Sequence, residues 1–387
     1  MTQCMRWYGP SDTVKLSDIR QAGCSEVVTA LHQIPIGDVW PVAEIMARKE
    51  LIEKAGMKWT VIESLPVHED IKKRSGNYQL YIDNYKESLR NVASCGLKVV
   101  TYNFMPILDW LRTDPFHVLP TGARTLKFER LAYVAFELFL LKRPGVEKDF
   151  TSEESAEAEK YFRSLSEAEK DQLFKNMLLG LPGSDIPFTP KEVLKALREY
   201  GDINAKQLKE NLFRFLKEVV PVAEEVGVRM AIHPDDPPYP VLGLPRIVST
   251  HQDIKDIINA VNLSANGICF CTGSFGARED NDLLGMMREF GDRIHFLHLR
   301  NTKRFPNGDF VEADHLNGDT DMVAIVKEAL SIMDRRGESI PMRPDHGHQM
   351  LDDLDKRAYP GYTAIGRLKG LAELRGVESA LGQLINH

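Results

Sequence analysis

The sequence predicts an α/β protein, a (β/α)8 TIM barrel with a largely helical insertion after strand 4. Three observations carry that expectation. Eight short runs rich in β-branched and aromatic residues end in polar, Gly or Pro residues, and eight is the number a closed barrel needs. Helix-like patterns separate the runs, so the sheet should be parallel. Four residues with metal-ligand chemistry, His233, Cys271, His298 and Asp345, each close a separate one of the last four runs.

Taken in order, CMRWYG (4–9), SEVVTALH (25–32), MKWTVIES (57–64) and LKVVTYNF (97–104) supply the first four strands. The helices between them read from LSDIRQAG, VWPVAEIMARKELIEKAG and YIDNYKESLRNVASCG, each closed by the Gly that commonly ends a helix. The rhythm then breaks, because about 120 residues separate strand four from strand five. The insertion, approximately residues 113–200, holds helix-like ERLAYVAFELFLLKR, an acidic stretch from Ser152 to Leu178, a Gly/Pro loop at 180–190 and a helix from Pro190. Since it follows a strand's C-terminal end, it should emerge on the face where barrel active sites lie, as a lid, a subunit contact or a purely structural excursion. An amphipathic helix over 209–227 leads back to VGVRMAIH (226–233), followed by NGICFC (266–271), DRIHFLH (292–298) and SIPMRPD (339–345), with helical patterns at 252–262, 281–291 and 321–337 between them. With no internal repeat beyond this alternation, the chain reads as one domain over 1–387.

Composition excludes several classes. A hydrophobic content of 43% with 27% charged residues is ordinary for a globular protein. The net charge of −7 argues against general nucleic-acid binding. No apolar run approaches the ~18 residues of a membrane span, and the N-terminal residues lack a signal-peptide core, so a cytoplasmic protein without membrane partners is expected. The five cysteines, at 4, 24, 95, 269 and 271, suit a reducing compartment better than a disulfide framework.

The four ligand candidates are spaced by 38, 27 and 47 residues (233 to 271, 271 to 298, 298 to 345), about one βα unit each. A lone His at a strand end is more often an ordinary hydrogen-bonded residue than a ligand, so the argument rests on coincidence. Four consecutive strands bring their ends together at the barrel mouth, with neighbours ~4.8 Å apart. Alternation puts Cys269 one layer below Cys271, and puts His295 on the face opposite His298. Dispersed ligands on a rigid frame point to catalysis rather than to a closed structural zinc. A thiolate, two imidazoles and a carboxylate with room for substrate favour Mn2+ or Fe2+ over tetrahedral Zn2+.

The loop beyond Asp345 carries proton-transfer candidates. His346 is the first choice for a general base, with Gly347 permitting the turn that swings it over the ion. Tyr362 could return over the mouth as proton donor or oxyanion partner, with Tyr359 a close competitor, and His348 would orient the loop. Arg300, Trp7, His32, Asn103 and His315 are the rim candidates for substrate contact, together with Arg6, Lys303 and Asp319. Arg300 is suited to gripping a carboxylate in two-pronged fashion.

The motifs RWYGP, VVTALHQIPIGDVW, FCTGSFGAR, HFLHLRNT, EADHLNGDTDM, RPDHGHQMLDD and PGYTAIGRLKGLAELRGVE resemble, nearly end to end, the D-mannonate dehydratases of hexuronate (glucuronate) catabolism. The resemblance implies a barrel akin to xylose isomerase, Mn2+ or Fe2+ as cofactor, and ligands at Cys271, His233, His298 and Asp345. It puts the acid/base pair on His346 and a tyrosine, Tyr362 or Tyr359. It implies a hydro-lyase that removes water from D-mannonate to give 2-dehydro-3-deoxy-D-gluconate, by C2 proton abstraction, metal stabilisation of the enediolate and acid-assisted loss of the C3 hydroxyl. A homo-oligomer, a dimer, is the expected assembly. Without the resemblance, a sugar isomerase or a metal-dependent phosphodiesterase would use a similar barrel, the latter with added carboxylates such as Glu63 and Glu312. The thiolate is awkward for hard-metal phosphate chemistry. A sugar-acid-binding regulator finds no DNA-reading segment to support it.

Overall fold

The structure, a computed structural model, describes residues 1–179 and 189–385. The Gly/Pro loop expected at 180–190 therefore falls almost wholly outside the described residues.

Eight parallel strands close into a barrel: β1 (Thr2–Arg6), β2 (Glu26–Thr29), β3 (Lys58–Glu63), β4 (Val99–Tyr102), β7 (Arg229–Ile232), β8 (Asn266–Cys271), β9 (Ile294–His298) and β12 (Pro341–Arg343). Each corresponds to one of the eight runs read from the sequence. His233 and Asp345 lie one and two residues beyond their strands, so these two ligand candidates stand on the exit turns.

Period-two alternation stacks the interior in layers. Cys4, Val28, Val61, Val99, Ala231, Cys269 and Phe296 form one small apolar layer. Two residues further along the same strands, the interior turns polar with Arg6, Glu63, Thr101, His233, Cys271 and His298. The apolar layer is a floor, and the polar groups above it line a cavity on its C-terminal side. Strand register fixes neighbours within the polar layer, pairing Cys271 with His298 and His298 with Arg343.

The insertion is largely helical, as expected, but it carries two strands that the sequence reading did not include. It opens with a hairpin, β5 (Asp114–Val118) and β6 (Arg124–Phe128), before its helices at Arg130–Ala135, Ser152–Ser164, Glu167–Met177 and Pro190–Tyr200. A second hairpin, β10 (Asn301–Arg304) and β11 (Phe310–Ala313), leaves the barrel directly after β9. The two combine into a four-stranded antiparallel sheet in the order β10-β11-β6-β5. Pairing of Phe310 with Phe128, whose rings stack at 5.5 Å, joins the hairpins, and the Thr125 hydroxyl donates to the Glu312 carbonyl at 2.9 Å. Two loops about 170 residues apart thus share one sheet over the barrel mouth.

Outside the mouth, His295 faces away from His298. Its Nε2 donates to the Ser264 carbonyl at 3.0 Å, while Nδ1 is buried without a partner among the described residues. Burial, reinforced by Arg229 and Arg336, lowers its pKa to about 3. The unfolded chain takes up a proton on this residue below ~6.5, whereas the folded chain does not until about pH 3. Its contribution to stability is therefore complete above pH 6.5 and is lost as pH falls toward 3, by at most roughly 1.4 kcal/mol per pH unit. Urea midpoints at pH 7 and pH 5 should converge in His295→Gln, which can keep the bond to Ser264, relative to the unchanged chain. Parallel pH dependence in the two proteins would remove this role.

Candidate active site

The ligand candidates converge at the barrel mouth. His233, Cys271 and His298 each offer a donor atom, all within 4.8 Å of one another. The His233 Nδ1 lies 2.7 Å from the Pro234 carbonyl, which can only accept, so Nδ1 carries the proton and the Nε2 lone pair faces inward. Burial lowers the His233 pKa, and a neutral imidazole is the form that binds metals. That Nε2 lies 3.1 Å from His298 Nδ1. The Cys271 sulfur accepts from the Ser274 amide at 3.4 Å, in the first turn of the short helix Thr272–Gly276, and stands 3.7 Å from Asp345 Oδ2. Asp345 approaches His298 to 3.9 Å. Two imidazoles, a thiol and a carboxylate so placed fit a divalent cation, which would displace the proton that the two rings share.

Arginines surround this cluster. Arg343 reaches Glu63 at 2.6 Å, Asp345 at 2.5 Å and His298 Nε2 at 3.1 Å, and Arg6 reaches Glu63 at 3.1 Å. Burial acting alone would raise the Glu63 and Asp345 pKa values, but Arg343 and the other cations hold both carboxyls well below the usual range. Arg300 is 2% exposed, lies 2.9 Å from Asp236 and 3.3 Å from Asp345, and threads past Gly273, where any Cβ would collide with its guanidinium.

His346 stands on the cavity wall with its two ring nitrogens differently engaged. Nε2 is 3.1 Å from the Tyr362 hydroxyl, and Nδ1 is 2.7 Å from Glu312 Oε2. Tyr359 instead packs its ring on Tyr8, at 4.6 Å between centroids. Gly347 was expected to ease the turn into His346. The structure gives it a different reason, for its bare Cα lies against the backbone of Gly366 and Arg367 with no room for a side chain.

Of the rim candidates, Arg6, Asn103 and Arg300 line the cavity, with Trp110, Asp109 and Tyr362 beside them. Trp7 lies between the inward-facing Arg6 and Tyr8 and belongs to the apolar core outside the barrel, with Arg48 over its ring. His32 stacks on Tyr8 at 5.7 Å and does not line the cavity, and His315 sits against Gly370 behind the site. Burial lowers the pKa values of these two histidines to about 3 and about 4. Lys303 and Asp319 pair with each other at 2.6 Å away from the cavity.

Besides Trp110 and Asp109, three charged residues of the site went unread in the sequence. Arg112 grips Asp236 through both nitrogens, at 2.6 and 2.9 Å, and reaches Glu312 at 2.8 Å, while Arg343 bridges Glu63 to Asp345. Arg343 could have been found by alternation, being two residues before Asp345 and on the same face. Asp236, three residues past His233, and Arg112, just ahead of the insertion, leave no comparable pattern.

A metal-competent donor cluster beside a His–Tyr contact, at the mouth of a closed eight-stranded parallel barrel, makes this a (β/α)8 barrel with a site able to hold a divalent cation. The fold is shared with a xylose isomerase domain protein from Planctomyces limnophilus, with a TM-score of 0.51, 11% identity and coverage of 99% of this chain and 98% of that one. The family model described as D-mannonate dehydratase (UxuA) matches residues 1–387, and the chain belongs to that family. It is 52% identical to a mannonate dehydratase of Marinomonas sp. (strain MWYL1), covering 98% of this chain and 99% of that one. It is 48% identical to a mannonate dehydratase of Saccharophagus degradans, covering 98% of each. The crystal structure of mannonate dehydratase from Streptococcus suis serotype 2 superposes with a TM-score of 0.79 at 34% identity, covering 100% of this chain and 95% of that one.

Proposed function

We propose that the protein is a mannonate dehydratase, a hydro-lyase converting D-mannonate to 2-dehydro-3-deoxy-D-gluconate and water. Beside family membership, the observation that carries this reading is the 3.1 Å contact between His346 Nε2 and the Tyr362 hydroxyl, directly beside the ligand cluster. Dehydration needs two proton movements, one from C2 and one to the departing C3 hydroxyl. A pair that shares one proton can accept the first and supply the second. Elimination of the C2 hydrogen and the C3 hydroxyl leaves an enol, which becomes the 2-keto acid on protonation at C3.

His233, Cys271, His298 and Asp345 would hold the metal, Mn2+ or Fe2+ on the donor set. When bound, the ion would supply Lewis-acid neutralisation of the charge that develops next to the substrate carboxylate as C2 loses its proton. Arg300 and Arg6 line the same cavity and suit that carboxylate, and Asn103 and Asp109 offer polar partners to the hydroxyl chain. Trp110 Nε1 and Arg6 Nε are buried without partners among the described residues, and they add donors for an oxygen-rich ligand.

The reading extends to the cytoplasm, which five cysteines without disulfides suit. Among the described residues no helix is long and apolar enough to cross a membrane. Incubating Mn2+- or Fe2+-reconstituted protein with D-mannonate should yield the 2-keto-3-deoxy acid. Failure to form it with either metal overturns the reading.

A further inference from the structure

We infer that Glu312 is a positioning residue for the reaction, holding His346 in the tautomer that carries its proton on Nδ1 and leaves the Nε2 lone pair toward Tyr362. This rests on the proposed proton-transfer role of His346. Two neighbours make opposite demands on Nδ1. Glu312 Oε2 is 2.7 Å away and can only accept, whereas Arg300 Nη1 is 2.9 Å away and can only donate.

The conflict has a single low-cost resolution. Were Nδ1 bare, its lone pair would face an anionic oxygen at 2.7 Å in a buried site. With Nδ1 protonated, that contact becomes a charge-assisted hydrogen bond, and Arg300 can turn its protons to Glu312 Oε1 at 3.2 Å and Asp345 Oδ2 at 3.3 Å. The carboxylate is kept anionic by its surroundings. Burial would raise its pKa, but Arg300, His346 and Arg112 bring it down to about 2. Nε2 then has no proton of its own and accepts from the Tyr362 hydroxyl.

Glu312 reaches this position from β11 and not from the barrel. Its carbonyl accepts from Thr125 of the insertion and from His348 Nε2 at 3.0 Å, and its Oε1 takes the Arg112 bond. The accessory sheet thus places the carboxylate beneath the imidazole.

Glu312→Gln separates the tautomer from the packing. Arg112 and Arg300 both aim donors at Oε1, so the amide should put its oxygen there and its NH2 toward His346 Nδ1. Nδ1 must then accept, which moves the ring proton to Nε2, reverses the bond to Tyr362 and leaves its hydroxyl proton without the imidazole acceptor. The metal-reconstituted variant should keep its metal content and KM, and lose ~100-fold or more in kcat. A kcat within about threefold of the unchanged enzyme overturns the inference.

A second measurement does not depend on how the variant folds. In 15N-histidine spectra of the unchanged protein loaded with diamagnetic Zn2+, the His346 resonances, identified by their loss in His346→Asn, should report a proton on Nδ1. A proton on Nε2 overturns the inference. The underlying reading fails separately, by full turnover in His346→Asn.

Discussion

Replacing Cys271 by serine is expected to strip the protein of its divalent metal and of its turnover. The Cys271 sulfur lies within 4.8 Å of donor atoms on two imidazoles and 3.7 Å from the Asp345 carboxylate, and it accepts from the Ser274 amide; a metal would take it as the thiolate, the form in which cysteine ligates. Serine keeps the shape but is not ionised near neutral pH, so it offers the cation a neutral, poorer ligand. Losing a group that merely orients a metal ligand typically costs ~10–100-fold in affinity, so losing a ligand itself should cost more than ~100-fold. Cys269→Ser is the matched control. Cys269 belongs to the apolar layer below, beside Phe296 and Val61, and its change should leave metal content intact. Elemental analysis after gel filtration, with a melting curve to verify the fold, reads both variants. Equal metal in Cys271→Ser would show that the thiolate is not a ligand.

His346→Asn should do the opposite, keeping the metal and losing turnover by ~100-fold or more. Asparagine can return a donor to Glu312 from near the Nδ1 position, so the ion network of Arg112, Asp236, Arg300 and Glu312 keeps its partner. It has nothing at the Nε2 position, where Tyr362 makes its contact. Comparing kcat, KM and bound metal separates this outcome from a collapse of the site. Near-normal kcat with metal in place would leave His346 a purely orienting role.

The parts of the molecule that were legible in its sequence are those governed by local periodicity. Each barrel strand showed as a short apolar run, and the four ligand candidates showed because strand ends on one face converge whatever the loops do. The same alternation governs Trp7. Arg6 points inward, so its neighbour had to point out, and Trp7 packs in the outer core. The accessory hairpins were not legible, since DPFHV, RTLKF, NTKR and FVEA are only four or five residues long, mix polar with apolar residues without a clean alternation, and gain their stability by pairing with one another. The ion network was beyond reach for a related reason. Arg112 meets residues 124 and 200 positions away, the second of them, Glu312, on a sheet that the helical reading of the insertion had omitted.

That sheet bears on how the scaffold can be altered. β6 from the insertion and β11 from the loop after β9 are hydrogen-bonded neighbours, and each supplies a hairpin that the other completes. In barrels whose loops act singly, one loop can be shortened or transplanted while the rest stand. Here the two form a single exchangeable module. Trimming residues 113–128 would bare an edge of β11 and remove the support under Glu312, so chimeras between relatives should carry both segments across together or neither.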